Sequence, residues 1–210
     1  MEGVGADYIS TPDHADFEFG AGEFTIEFFV RFRTVTANSH CFIAHWGGAG
    51  QRSYHVHWAV GAAALQLNYT TDGTNVVEVN RAWSPSINTW YHVAVCRGGD
   101  TLRMFIDGTQ IGTNIDFTGI TLATSTQLFS IGAPVTLTIE SVDGWMDEIR
   151  ISNTARYTAD FTAPAAAFTC AETGTVLLVH CDGDDASTTF TDDDSACVAV
   201  ADNHFLLMGV

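Results

Sequence analysis

The stretch Phe24–Arg33 constrains this chain more than any other. Phe24, Ile26, Phe28, Val30 and Phe32 alternate with Thr25, Glu27, Phe29, Arg31 and Arg33. A period of two is the signature of a β-strand with one buried and one solvated face. It assigns Phe24, Ile26, Phe28 and Val30 to the inner face. Further β-like runs occur at Cys41–Trp46, Ser53–Val60, Ala64–Thr70, Val76–Val79, Trp90–Arg97, Thr101–Ile106, Gln127–Gly132 and Trp145–Ser152. Asp107-Gly108 between two such runs is a strong short-hairpin signal, and Asp72-Gly73 and Asp143-Gly144 are weaker ones. Helix signals are nearly absent, apart from a turn signal around Asn153–Tyr157. Many short strands with turn punctuation predict an all-β sandwich or jelly roll.

A chain of 210 residues suits one large domain of this kind, and a 46% hydrophobic fraction with 14 Phe supplies its core. No apolar run approaches the ~18 residues needed to span a membrane, and the N-terminus lacks a basic, apolar secretory pattern. Membrane insertion is therefore not expected. The formal net charge is −17, with 25 acidic and 8 basic residues, all of the latter Arg. Such a field repels phosphates and argues against nucleic acid as a partner, while favouring solubility. The acidity is concentrated in residues 170–210, which hold eight acids (Glu172, Asp182, Asp184, Asp185, Asp192, Asp193, Asp194, Asp202) and no Arg. The cysteines, Cys41, Cys96, Cys170, Cys181 and Cys197, match no zinc or redox spacing. Cys41 and Cys96 read as core residues, and Cys170 and Cys197 could bridge.

The run Ala15–Phe32, the pair Trp90–Arg97 and Leu102–Gly108, and Trp145–Ser152 followed by Ala155–Pro164 together resemble laminin-G-like (concanavalin-A-like) jelly rolls. The copies carried by tailed-phage structural proteins are especially similar, chiefly through Ala155–Phe161. Gly174–Gly183 and Ser187–Asp192 resemble the first strand and loop of that family, whereas Met1–His14 resembles a point after that strand. The resemblance therefore implies a displaced opening: a jelly-roll body at 1–164, a linker at 165–173, and displaced opening strands at 174–210. A sheet lacking a strand exposes unpaired N–H and C=O groups, so the tail must be paired. Val176, Leu177, Leu178 and Val179, with Phe205, Leu206 and Leu207, are the expected assembly strands. They are expected to insert in a neighbouring subunit, giving a homo-oligomer by strand exchange; a permuted monomer would satisfy the same hydrogen bonds.

Paired carboxylates of the kind glucanases need lack the right spacing in Glu140 with Asp143 and in Asp147 with Glu148, so no enzyme is expected. His55 and His57 alternate on one face, with His40 and His45 nearby in sequence, and read as polar side chains of a solvent-facing strand. Asp182, Asp184 and Asp147 are candidate ligands for a structural Ca2+, because hard cations gather carboxylates around Gly turns; a solvated acidic loop is the alternative. Sugar binding would need exposed aromatic platforms. The candidates are Trp46, Tyr54, Tyr69, Trp83 and Trp90, with Trp46, Tyr54 and Trp83 leading, whereas Trp58 is in phase with the core. The reading that follows is a non-enzymatic structural or adhesive virion protein, in a virion or extracellular assembly. The alternative is a carbohydrate-binding module of a secreted or cell-surface protein; a third is one unit of a tandem repeat.

Overall fold

The computed structural model describes residues 8–36, 38–136, 140–169, 171–181, 189–191 and 204–208, the last two segments by backbone alone. The alternating run forms β2 (Phe24–Phe32), preceded by β1 (Tyr8–Thr11) and one 3-10 turn, η1 (Ala15–Phe17). Next come β3 (His40–Trp46), β4 (Arg52–Ala59), β5 (Ala64–Tyr69) and β6 (Val77–Ala82). β7 (Trp90–Gly98), β8 (Thr101–Ile106), β9 (Thr109–Gln110), β10 (Ile115–Asp116) and β11 (Phe129–Ile131) follow. β12 (Gly144–Ser152), β13 (Thr175–Val179), β14 (Thr189–Thr191) and β15 (His204–Met208) complete the order.

These strands form two antiparallel sheets. One runs β14-β15-β1-β11-β3-β4-β5-β6, the other β10-β8-β7-β2-β12-β13, with β9 paired to β8. This is the jelly-roll sandwich expected from the alternation. The Asp107-Gly108 hairpin is also present, with φ of 50° and 78° at its two central residues, the left-handed pair that a tight type I′ turn requires. Between the sheets, Phe24, Ile26, Phe28, Val30 and Phe32 of β2 are all fully buried, and meet Phe42, Val56, Val93 and Ile151 in the core. Each such aromatic removes its ring from water, a contribution of about 2–3 kcal/mol.

The opposite face of β2 is also covered, and it carries charge. Glu27 is fully buried, with Ala94 of β7 on one side of it and Arg150 of β12 on the other. Its carboxylate accepts from Arg150 Nε at 2.9 Å and from the Tyr157 hydroxyl at 2.8 Å, and lies 3.1 Å from His92 Nε2. Burial alone would raise its pKa; the hydrogen bonds and charges of His92 and Arg150 outweigh it and hold Glu27 below the usual carboxylate range. The chain after β12 roofs this network. Tyr157 and Phe161 stack at 3.5 Å and pack on Phe105, while Phe168 lies 3.9 Å beneath the Arg150 guanidinium. Phe168 belongs to the segment expected to be a linker, and it is buried.

The returning tail is paired within its own chain. β13 lies beside β12, with Ile149 opposite Val179 and Ile151 opposite Leu177, and Val176–Val179 are buried. β15 lies beside β1, with Leu206 opposite Ser10 and Leu207 opposite Ile9. Phe205 pairs with Phe190 of β14. The strands foreseen as assembly elements thus meet their hydrogen bonds in cis. Insertion into a neighbour is not required to complete either sheet.

Replacing Phe28 by Asp places an unpaired charge at the centre of this core. The penalty is comparable to a domain's whole stability of about 5–15 kcal/mol. The variant is expected to be unfolded by near-UV circular dichroism; a cooperative melt at the wild-type temperature would refute the assignment of faces.

Candidate functional site

Because β2 presents odd positions outward, Arg31 stands on the outer face, two residues beyond Phe29. Register places Trp90 of β7 directly beside it on one flank and Trp145 of β12 on the other. Three adjacent strands therefore present the row Trp90, Arg31, Trp145. The roof formed by Tyr157, Phe161 and Phe168 covers the rows nearer Glu27 and His92, and it stops short of this one. Trp90 is 44% exposed. The Arg31 guanidinium lies 4.9 Å from the Trp145 ring centroid, a cation–π arrangement. Its NH2 reaches Asn88 Oδ1 at 3.4 Å, and its Nε is buried with no hydrogen-bond partner. Two indole surfaces, an incompletely satisfied guanidinium and a nearby amide are the elements from which a polar, ring-shaped ligand is held.

The aromatics favoured from the sequence lie elsewhere. Tyr54 is fully buried and its hydroxyl donates to the Phe17 carbonyl at 3.0 Å. Trp83 is 8% exposed, edge-on to Phe32 and Tyr91. Trp46 is 5% exposed beside His55. None offers an open ring face, and the three do not share a surface. Their strands alternate as expected, but both faces of the larger sheet are covered around them. Tyr69 is also buried, so Trp90 alone of the five candidates is open. Sequence reading missed Arg31 and Trp145 because their partnership exists only through register across three strands.

Asp147 sits where the sequence placed it, next to the returning strand: its Oδ1 accepts from Cys181 N at 3.1 Å and from Glu148 N at 2.8 Å. Asp182 and Asp184, the other candidate Ca2+ ligands, lie outside the described residues, as do Cys170 and Cys197. Glu148 is bulged, with φ of 50°, and its carboxylate accepts from Phe168 N and contacts His180 Nδ1 at 2.7 Å. Asp143 is held by Arg33 Nε at 2.6 Å and by Thr34 at 2.7 Å. These carboxylates are tied into local structure.

The histidines require a correction. His55 and His57 do share a face, but that face is not solvated: both are buried, with rings stacked at 4.3 Å. His40 and His45 point instead to the core side, against Trp58 and Tyr54 respectively. Burial holds His55 well below its usual pKa, with the neighbouring His57 adding to the effect, and burial pushes His57 down to about 4.

A family model described as the concanavalin A-like lectin/glucanases superfamily matches residues 3–160. Comparison with curated proteins finds no match. Among solved structures, a candidate carbohydrate-binding protein from Bacteroides ovatus superposes with a TM-score of 0.72 at 14% identity. That alignment covers 96% of this chain and 55% of the other, so this chain spans about half of that protein. The CBM40 of the Ruminococcus gnavus IT-sialidase, bound to α2,6-sialyllactose, gives a TM-score of 0.56 at 12% identity, covering 75% of this chain and 93% of that one. The heptameric SAP-like pentraxin of Limulus polyphemus gives 0.53 at 13% identity, covering 75% of each. At these identities the likeness is one of fold.

The buried imidazole pair has a consequence for acid stability. The unfolded His57 protonates near 6.5 and the folded one only near 4, so the unfolded chain binds the extra proton across that window. Stability is full above pH 6.5 and falls toward pH 4, by about 3 kcal/mol for this group. His57→Gln is expected to flatten the decline of melting temperature between pH 7 and pH 4. Parallel curves for variant and wild type would remove the pair as its cause.

Proposed function

The chain belongs to the concanavalin A-like lectin/glucanases superfamily, and on that premise we propose that it is a non-enzymatic carbohydrate-binding module. The observation that carries the reading is the open row of Trp90, Arg31 and Trp145 at the end of the smaller sheet. A sugar ring stacks its C–H face on an indole, while hydroxyls or a carboxylate accept from the Arg31 guanidinium and Asn88 supplies an amide. The similar structures include a candidate carbohydrate-binding protein, a sialidase CBM40 bound to α2,3-sialyllactose and the binding domain of a mosquitocidal protein, which supports this over other uses of the fold. Fold alone would not, since this scaffold serves many tasks. The virion-component reading rests on the resemblance of Ala155–Phe161 to phage copies of the fold, taken together with the missing secretory pattern and catalytic set. Either setting places the domain where surface glycans are met. Self-association through the tail belongs to that second reading, as does a structural Ca2+ at Asp147, Asp182 and Asp184.

The test is a glycan array followed by titration calorimetry on the best ligand. Arg31→Ala and Trp90→Ala are each expected to weaken binding roughly tenfold or more, about 1.4 kcal/mol per lost anchor. Both residues are surface-facing, so melting temperatures should stay close to wild type. Undiminished binding by both variants would move the site elsewhere.

A further inference from the structure

At the other end of the strands the chain assembles a second polar cluster, unrelated to the aromatic row. β3 runs back from the turn after β2, so His45, near its end, lies far along the strands from Arg31. Asp13 comes from the loop between β1 and η1, and Glu18 caps η1. The ligand atoms of Asp13, Glu18 and His45 all lie within 4.8 Å of one another. His45 Nε2 is 3.2 Å from Asp13 Oδ1, and His45 Nδ1 is 3.9 Å from Glu18 Oε1.

The imidazole is fully buried against the rings of Tyr54 and Phe129. Neither of its nitrogens makes a well-formed hydrogen bond, although Asp13 and the Gln127 backbone lie close to them, and Glu18 Oε2 is buried without a partner. A buried imidazole whose nitrogens are poorly satisfied is costly, up to about 1–3 kcal/mol for each unsatisfied group. The two carboxylates share this small space, and among the described residues no Arg pairs with either. Burial, opposed by a hydrogen bond from Ser125 N and reinforced by Asp13, raises the Glu18 pKa. Burial lowers that of His45, opposed by Asp13 and by the Gln127 backbone.

We infer that Asp13, Glu18 and His45 form a binding site for a divalent transition ion of the Zn2+ type, with water completing its shell. One imidazole and two carboxylates suit such an ion, whereas Ca2+ prefers oxygen ligands throughout. An ion there would satisfy the imidazole, neutralise both carboxylates and tie η1 to β3. It would act on stability at the end of the sandwich remote from Trp90.

The experiment is calorimetric titration and thermal melting of the whole chain with ZnCl2, against EDTA-treated protein. One equivalent is expected to bind, with a melting temperature that rises with free Zn2+ and returns on chelation. Asp13→Asn alters a partly exposed residue and should fold, yet weaken binding at least tenfold; His45→Gln should abolish it. His14→Ala, adjacent but outside the cluster, should bind as wild type does. Crystals soaked in Zn2+ should show anomalous density about 2 Å from a His45 nitrogen. Superimposed melts with ZnCl2 and EDTA, wild-type binding by Asp13→Asn, loss of binding in His14→Ala, or stabilisation by Ca2+ alone would each overturn the assignment.

Discussion

The buried carboxylate of Glu27 is the interaction on which the smaller sheet depends. A charge removed from water is tolerated only when neighbours replace the lost hydration. Here they come from different parts of the chain: His92 from β7, Arg150 from β12 and Tyr157 from the segment after it. Arg150 in turn meets Glu172, just before β13, at 2.8 Å. One acid therefore fixes the lateral order of β7, β2 and β12, the path of the roof above them, and the approach of the returning strand. Exchanging any member for an apolar residue leaves the others buried and unpaired, so the network specifies this arrangement over alternatives at least as much as it stabilises it.

That network also explains where the open surface lies. The roof residues Tyr157, Phe161 and Phe168 are held over Glu27, His92 and Arg150 by hydrogen bonds and ring contacts. Beyond them β2, β7 and β12 continue, and Trp90 there is 44% exposed. Trp90, Arg31 and Trp145 occupy that extension, on strands whose positions are set by the charge network beside them. The platform is thus rigid because of its neighbours, which limits the ordering cost of a ligand.

The alternation of β2 and the Asp107-Gly108 turn could be read directly from residues, since each rests on a local rule. The place of Val176–Val179 was not legible in that way: the family resemblance implied paired strands there but favoured a neighbouring subunit, whereas β13 pairs with β12 of its own chain. The coverage of outer faces was not legible. Glu27, His55 and His57 alternate as solvent-facing residues should, yet all are buried, because a second layer of chain lies over a face that periodicity alone marks as polar. The same blindness misplaced Trp46 and Trp83, whose hidden rings follow from three-dimensional cover. Arg31 and Trp145 escaped notice for a different reason. They are 114 positions apart in sequence and become neighbours only through the β2–β12 register.

Cation scarcity sharpens the case for Arg31. With 8 Arg against 25 acidic residues, most guanidiniums here have evident structural duties. Arg150 and Arg156 neutralise Glu27 and Glu172, Arg33 holds Asp143, and Arg97 reaches the Gly20 and Gly99 carbonyls over Phe117. Arg31 instead lies against an indole, with one long hydrogen bond to a neutral amide and a buried Nε left unpaired. In so acidic a chain, carboxylates to pair with it would be easy to supply. Among the described residues no carboxylate pairs with it, and beside the exposed Trp90 its donors remain largely unused. Placing Arg31 between two indoles also lowers the local dielectric, so a hydrogen bond donated there is stronger than the same bond in open water.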